Sequence, residues 1–134
     1  MDREGVGRTC LALKGVTLDH PWDAGHDAYK VGGKMFAMVG SMGGLSFKTS
    51  DMSFQMLTES GKARPAPYLA RAKWVHLADP GEWPDAELAD YLRAAYGEIA
   101  KRLTRKVRTE LGLEHGAVAR TRLRRGSTAE AEIV

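Results

Sequence analysis

Lys30 and Lys34 stand on either side of Gly32-Gly33, a pair that accepts the backbone angles of a tight hairpin turn. A hairpin tip flanked by two ammonium groups presents positive charge to a phosphate backbone. Phosphate neutralisation by Lys and Arg is the main source of affinity in nucleic-acid binding. Lys48 follows on the next hairpin, and Arg64, Arg71 and Lys73 lie on a later extended region. Arg102, Arg105, Arg122, Arg124 and Arg125 supply a denser group near the end of the chain. Tyr68 and Trp74 are interleaved with the middle group, and aromatic rings among cations can stack on nucleobases. Each type has a plainer role. Lysines on small sheets discourage edge-to-edge pairing, and Tyr or Trp commonly anchors a core with one polar atom satisfied at its rim.

Other chemistry finds less support. Asp19, His20, Asp23, His26 and Asp27 are carboxylates and imidazoles close enough in sequence to bind a divalent cation. They sit in a polar loop without a defined ligand register, so no metal and no cofactor is expected. His76 alternates to the solvent or sheet face of its strand. Gly40-Ser41-Met42-Gly43 falls in a hairpin rather than between a strand and a helix, so it is no nucleophile elbow. No glycine-rich phosphate loop occurs. Cys10, the single cysteine, lies on an apolar helix side, where burial keeps a thiol inert. The expectation is a protein that is not an enzyme. Met35, Met38, Met42, Met52 and Met56 crowd one stretch; they read as core filler or as an adaptable protein-binding surface.

The charge is unevenly spread. Residues 1–100 hold eleven basic against thirteen acidic side chains, whereas residues 101–125 hold nine against two, for an overall net charge of +3. A basic cluster at one end of a chain is the footprint of a polyanion partner, or else a solvated helix end and tail. With 134 residues and 43% hydrophobic content, one ordinary domain forms without metal or disulfide support. The charged opening residues and the lack of any long apolar run give neither a signal peptide nor a membrane span, so the cytoplasm is expected.

The elements that must position these residues are legible in part. Val6, Cys10, Leu11 and Leu13 fall on one helical side before Gly15, but Gly5 and Gly7 weaken the first turns and suggest a helix that starts late. Residues 16–25 read as a loop. Residues 26–31, 34–39 and 45–48 form an antiparallel meander. Ser50 caps a short helix from Asp51 to about Thr58. Residues 64–68 are extended because each proline holds its predecessor out of the helical region, and 73–77 return to strand. From Pro84 and Asp85, the three-and-four spacing of Leu88, Tyr91, Leu92, Ala95, Tyr96, Ile99 and Leu103 predicts one long helix to about Leu111. Periodicity fades beyond Gly112, and the last residues have the composition of a disordered tail. An α+β single domain follows over 1–111, with an antiparallel sheet, helices on one face and the order α-β-β-β-α-β-β-α. A basic flexible tail would occupy 112–134.

These residues in this order are similar to a known family. The series opens with Cys10-Leu11-Ala12-Leu13-Lys14-Gly15-Val16-Thr17, with Lys14 where a proline is more usual. It continues with Asp19-His20-Pro21-Trp22, then Tyr29-Lys30-Val31-Gly32-Gly33-Lys34-Met35-Phe36-Ala37, its most diagnostic part. Leu45-Ser46-Phe47-Lys48, Pro65-Ala66-Pro67-Tyr68, Trp74 and the Leu88-to-Leu103 helix complete it. Over about residues 8–108 the chain resembles the MmcQ/YjbR family of proposed DNA-binding proteins. The resemblance implies a CyaY-like α+β fold and the family's proposed double-wing contact to nucleic acid. A frataxin-like handling of iron would want an acidic helix face, and the first helix offers only Asp2 and Glu4. The expected function is weak, largely sequence-nonspecific DNA binding, with Lys30, Lys34 and Lys48 on phosphates and the later arginines supplying long-range attraction. The alternative is a protein-interaction or scaffold domain whose basic end is incidental.

Overall fold

The computed structural model describes residues 1–22 and 25–113; Asp23, Ala24 and residues 114–134 lie outside them. Helix α1 (Arg3–Leu11) begins earlier than its glycines suggest. Asp2 caps it, its carboxylate accepting from the Gly5 amide at 2.8 Å. Arg3 holds the first turn to the sheet through a 2.8 Å ion pair with Asp27. Gly7 sits against the sheet, where a Cβ would lie 3.0 Å from the Tyr29 hydroxyl. Tertiary ties therefore outweigh the low helix propensity of the two glycines.

Strand β1 (Val16–Asp19) occupies the stretch that reads as a loop. It is an edge strand with three of its four residues exposed, and so lacks the apolar alternation that marks a half-buried strand. It pairs antiparallel with β2 (Asp27–Val31), from Val16 opposite Val31 to Asp19 opposite Ala28. Then come β3 (Lys34–Val39), β4 (Leu45–Lys48) and α2 (Asp51–Glu59), the last capped by the Ser50 hydroxyl on the Ser53 amide at 3.1 Å. Strand β5 (Arg64–Pro65), a 3-10 turn at Ala70–Ala72, β6 (Trp74–Leu77) and a second 3-10 turn at Pro80–Glu82 follow. The six strands form one antiparallel sheet in the order β1-β2-β3-β4-β6-β5. The expected order thus gains one edge strand, and the α+β class stands.

The predicted long helix is two. Helix α3 (Asp85–Ala100) stops, and α4 (Arg105–Glu110) restarts behind Thr104, whose hydroxyl accepts from the Val107 amide at 3.2 Å. Between them Leu103 turns inward and is buried. The Arg108 guanidinium donates to the carbonyls of Lys101 at 3.3 Å and Leu103 at 3.0 Å, satisfying acceptors that the broken helix leaves open. The apolar spacing runs on through the break, which hides it from a periodicity reading. Leu113 is also buried in the core, so the packed domain extends two residues past the expected boundary at Leu111.

The core lies on one face of the sheet. Tyr29, Ala37, Phe47 and Val75 form a row across β2, β3, β4 and β6. It packs under Leu88, Leu92, Ala95 and Tyr96 of α3 in a single apolar cluster. A bulge where β2 meets β3 after Tyr29 turns Phe36 to the same side as Ala37. Phe36 meets the Tyr96 ring edge-on at 5.7 Å. Full burial of each of these large side chains contributes about 1.5–3 kcal/mol. On the opposite face another row crosses all six strands: Asp19, Ala28, Met38, Ser46, His76 and Arg64.

Candidate nucleic-acid interface

In an antiparallel sheet, successive connections fall at alternate ends. At one end lie the β2–β3 turn, the exit of β4 and the β5–β6 loop. At the other lie the β3–β4 turn, the segment between β1 and β2, and the residues after β6. The helices follow suit. A Cβ on Gly32, whose φ is +60°, would lie 2.8 Å from Leu103 and 3.1 Å from Val107, so the α3–α4 junction stands directly over the β2–β3 turn. The position of a Cβ on Gly112 lies 3.0 Å from Lys14 Cε, which brings the exit of α1 to the same end.

This arrangement collects charge that the sequence scatters. The first end carries Lys14, Lys34, Arg71, Lys73, Lys101, Arg102, Arg105 and Lys106, with Asp51, Glu98 and Glu110 as the nearby acids. At the second end Arg3 pairs with Asp27, the Met1 ammonium meets Asp85 at 2.8 Å, and Lys62 meets Glu87 at 2.9 Å. Asp2, Glu4, Asp79 and Glu82 add to the negative side there. The domain is therefore polarised along its strands, with a basic end and an acidic end.

The predicted contact residues divide on inspection. Lys34 and Arg105 are exposed, and so are Lys106 and Arg71; among the described residues none of the four has a carboxylate within ion-pair distance. Arg102 lies 3.9 Å from Glu98, which also holds Lys101 at 3.2 Å. Lys73 sits at the same end with its ammonium 5.1 Å over the Phe54 ring. Lys30 turns to the open sheet face, where it forms a 2.9 Å ion pair with Asp19. The hydrogen bond from Lys30, then that from the His20 amide, hold the Asp19 carboxyl below its usual pKa. Arg64 lies on the open face beside His76, away from the basic end.

Two residues correct the expectation. Lys48 is only 4% exposed, and its ammonium donates to the Ala72 carbonyl. Burial, with Arg102 nearby, pushes its pKa down. It fastens the β5–β6 loop to the end of β4 and cannot reach a phosphate. Trp74 is 5% exposed and has no ring face free for a base. Tyr68 is the opposite, standing fully clear of the domain. Arg122, Arg124 and Arg125 lie outside the described residues. Lys14, Lys101 and Lys106 are additions that only the chain path could supply, because nothing in their local sequence separates them from solvated helix ends.

The remaining reactive groups are occupied. Cys10 is buried, and desolvation raises its thiol to about 12. Tyr29 and Tyr96 are likewise pushed up to about 12 by burial, and the Tyr96 hydroxyl donates to the Lys14 carbonyl at 2.6 Å. At the start of β2, Asp27 is held by Arg3 and lies 3.3 Å from His20 Nδ1. Among the described residues no three His, Cys, Asp or Glu side chains are grouped to hold a metal ion. No described helix is long and apolar enough to cross a membrane. Ser46 Oγ and His76 Nδ1 are hydrogen-bonded at 2.9 Å on the open face, with burial first and Arg64 second lowering the imidazole pKa.

A six-stranded antiparallel sheet with helices on one face and a cation-rich end defines a small α+β domain with a basic pole. The chain belongs to the YjbR family, whose sequence model matches residues 11–98. Its structure is similar to the crystal structure of Deinococcus radiodurans protein DR2400, which carries the family domain DUF419. The two share 26% identity with a TM-score of 0.71, covering 80% of this chain and 85% of that one. No curated protein matches this chain. Lys101, Arg102, Arg105 and Lys106 lie beyond the matched segment.

Proposed function

We propose that this protein is a cytoplasmic, non-enzymatic DNA-binding protein that engages the phosphate backbone with the basic end of its sheet. The observation that carries this reading is the set of exposed cations Lys34, Arg71, Arg105 and Lys106, without a carboxylate partner among the described residues, gathered at one end from three separate parts of the chain. Cations freed of internal carboxylates are available to displace the counterions of a polyanion, the step that supplies most nonspecific affinity. The reading rests on phosphate contacts and includes no base code. Fluorescence anisotropy with a labelled duplex across a salt series tests it. Four phosphate contacts would give a log–log slope of about −3.6. No binding at low salt would overturn the reading.

A second reading draws on the methionines. Met52 and Met56, one turn apart on α2, are 76% and 55% exposed rather than filling the core, and Met42 is exposed as well. Flexible thioethers on a surface suit an adaptable protein partner, and an interaction or scaffold role is the alternative if duplex binding is absent.

A further inference from the structure

Resting on the DNA-binding reading, we infer that Tyr68 is a base-stacking residue that makes the basic end prefer single-stranded DNA to duplex. Its setting begins with the backbone. The Leu69 amide donates to the Ala66 carbonyl at 3.1 Å, closing a turn with Pro67 and Tyr68 at its centre. Pro67 fixes a negative φ at the first central position and Tyr68 has a φ of +65° at the second, the pattern of a type II turn. That second position normally goes to Gly or Asn, because the Cβ of most other residues crowds the following carbonyl oxygen there. A tyrosine in this conformation is strained, and strain of this kind persists at sites where function selects the side chain.

The turn is rigid. The Ala66 amide donates to the Trp74 carbonyl at 2.9 Å and the Trp74 amide to the Leu69 carbonyl at 3.2 Å, tying both ends of the loop to each other. The Lys48 ammonium holds the loop from below through the Ala72 carbonyl, and Thr49 Oγ1 donates to the Lys73 carbonyl at 2.7 Å. Trp74, which closes the loop through its backbone, is itself buried. On this base Tyr68 is exposed to 104% of its reference area, so its side chain has no burial against the domain. The ring thus contributes nothing to packing while its backbone carries strain, so stability does not account for tyrosine here.

Position supplies the ligand class. Arg71 and Lys73 lie three and five residues on in the same loop, and Lys34, Arg102 and Arg105 occupy the same end of the sheet. A flat aromatic face beside a path of cations is the combination that binds unpaired nucleotides, with phosphates on the cations and a base on the ring. In a duplex the base faces are already stacked, so the ring finds a partner only where strands are apart. Every base has a π-face, so the preference is for strandedness and not for sequence.

The test compares the full chain with three labelled probes on the order of 16 nucleotides, the upper site size for a small binding domain. They are a mixed-sequence single strand, its duplex, and an abasic strand with the same phosphates and no bases. The variants are Tyr68→Phe, which keeps the ring, and Tyr68→Asn, which suits the turn and removes it. The single strand is expected to bind more tightly than both other probes. Tyr68→Asn should lose roughly 5- to 100-fold on the single strand, stay unchanged on the abasic strand, and keep or raise its Tm. Tyr68→Phe should bind like the parent. If duplex binding is intact but the single strand binds no better than the abasic one, or Tyr68→Asn weakens all three probes equally, the stacking role is overturned and the phosphate reading stands. Binding to none of the probes overturns both.

Discussion

Lys34 and Lys48 look alike in the sequence, each on a strand end beside small or apolar neighbours, yet their surroundings give them opposite roles. Lys34 is exposed with no acidic partner among the described residues, whereas Lys48 spends its charge on a backbone carbonyl beneath a loop. Replacing Lys34 or Arg105 by Gln should weaken duplex binding and reduce the salt slope by about 0.9 each. Lys48→Met should leave the slope unchanged and lower stability by about 1–3 kcal/mol, since it strands the Ala72 carbonyl. Salt titrations and denaturant melts on the same samples separate the two roles. His76 supports a pH prediction. Its folded pKa is lowered by burial and by Arg64, so as pH falls through about 6.5 the unfolded chain takes up a proton before the folded one does. Stability should decline below that pH until the folded imidazole also titrates, and should be level above it. His76→Gln should remove the decline, as read from urea midpoints across pH 5–8.

At the scale of elements, the β2–β3 turn and the α3–α4 junction depend on each other. Gly32 holds a φ of +60° and leaves no room for a side chain under Leu103, while Gly33, at +80°, has open space around it. Gly32→Val should therefore destabilise by about 2–4 kcal/mol through backbone strain and overpacking together. Gly33→Asn should cost no more than about 1 kcal/mol, because Asn tolerates the left-handed region. Comparable losses at both positions would mean that the junction does not close on the turn. The element pattern was legible wherever apolar alternation was strong, as in β2, β3, β4, β6 and α3. It failed at β1, whose exposed edge residues resemble a loop, and at the end of α3, where apolar spacing continues across a break made by Thr104 and Arg108.

Across the whole molecule the two charged ends are separated by about the length of α3, roughly 24 Å for sixteen residues. That is several times the screening length of about 8 Å at physiological salt. Neutralising the acidic end with Glu4→Gln and Glu82→Gln should leave duplex affinity within about twofold at physiological salt, and should raise it measurably only at low salt. A large gain at physiological salt would place the contact surface near the acidic end and contradict the proposed orientation. The family match ends at Glu98, so the cations of α4 lie beyond the matched segment.

The sequence by itself determined the α+β class, the family, the apolar rows of the central strands and the Ser50-capped start of α2, because these rest on local spacing and local backbone preference. It also showed that cations are plentiful and concentrated late in the chain. Only the tertiary structure decided which cations are free, that Lys30 is paired and Lys48 buried, and that Trp74 is an anchor while Tyr68 is exposed. The physical reason is that a side chain's availability depends on neighbours from distant segments: the Ala72 carbonyl for Lys48, Asp19 for Lys30, and the antiparallel return of β6 for the loop that lifts Tyr68 clear.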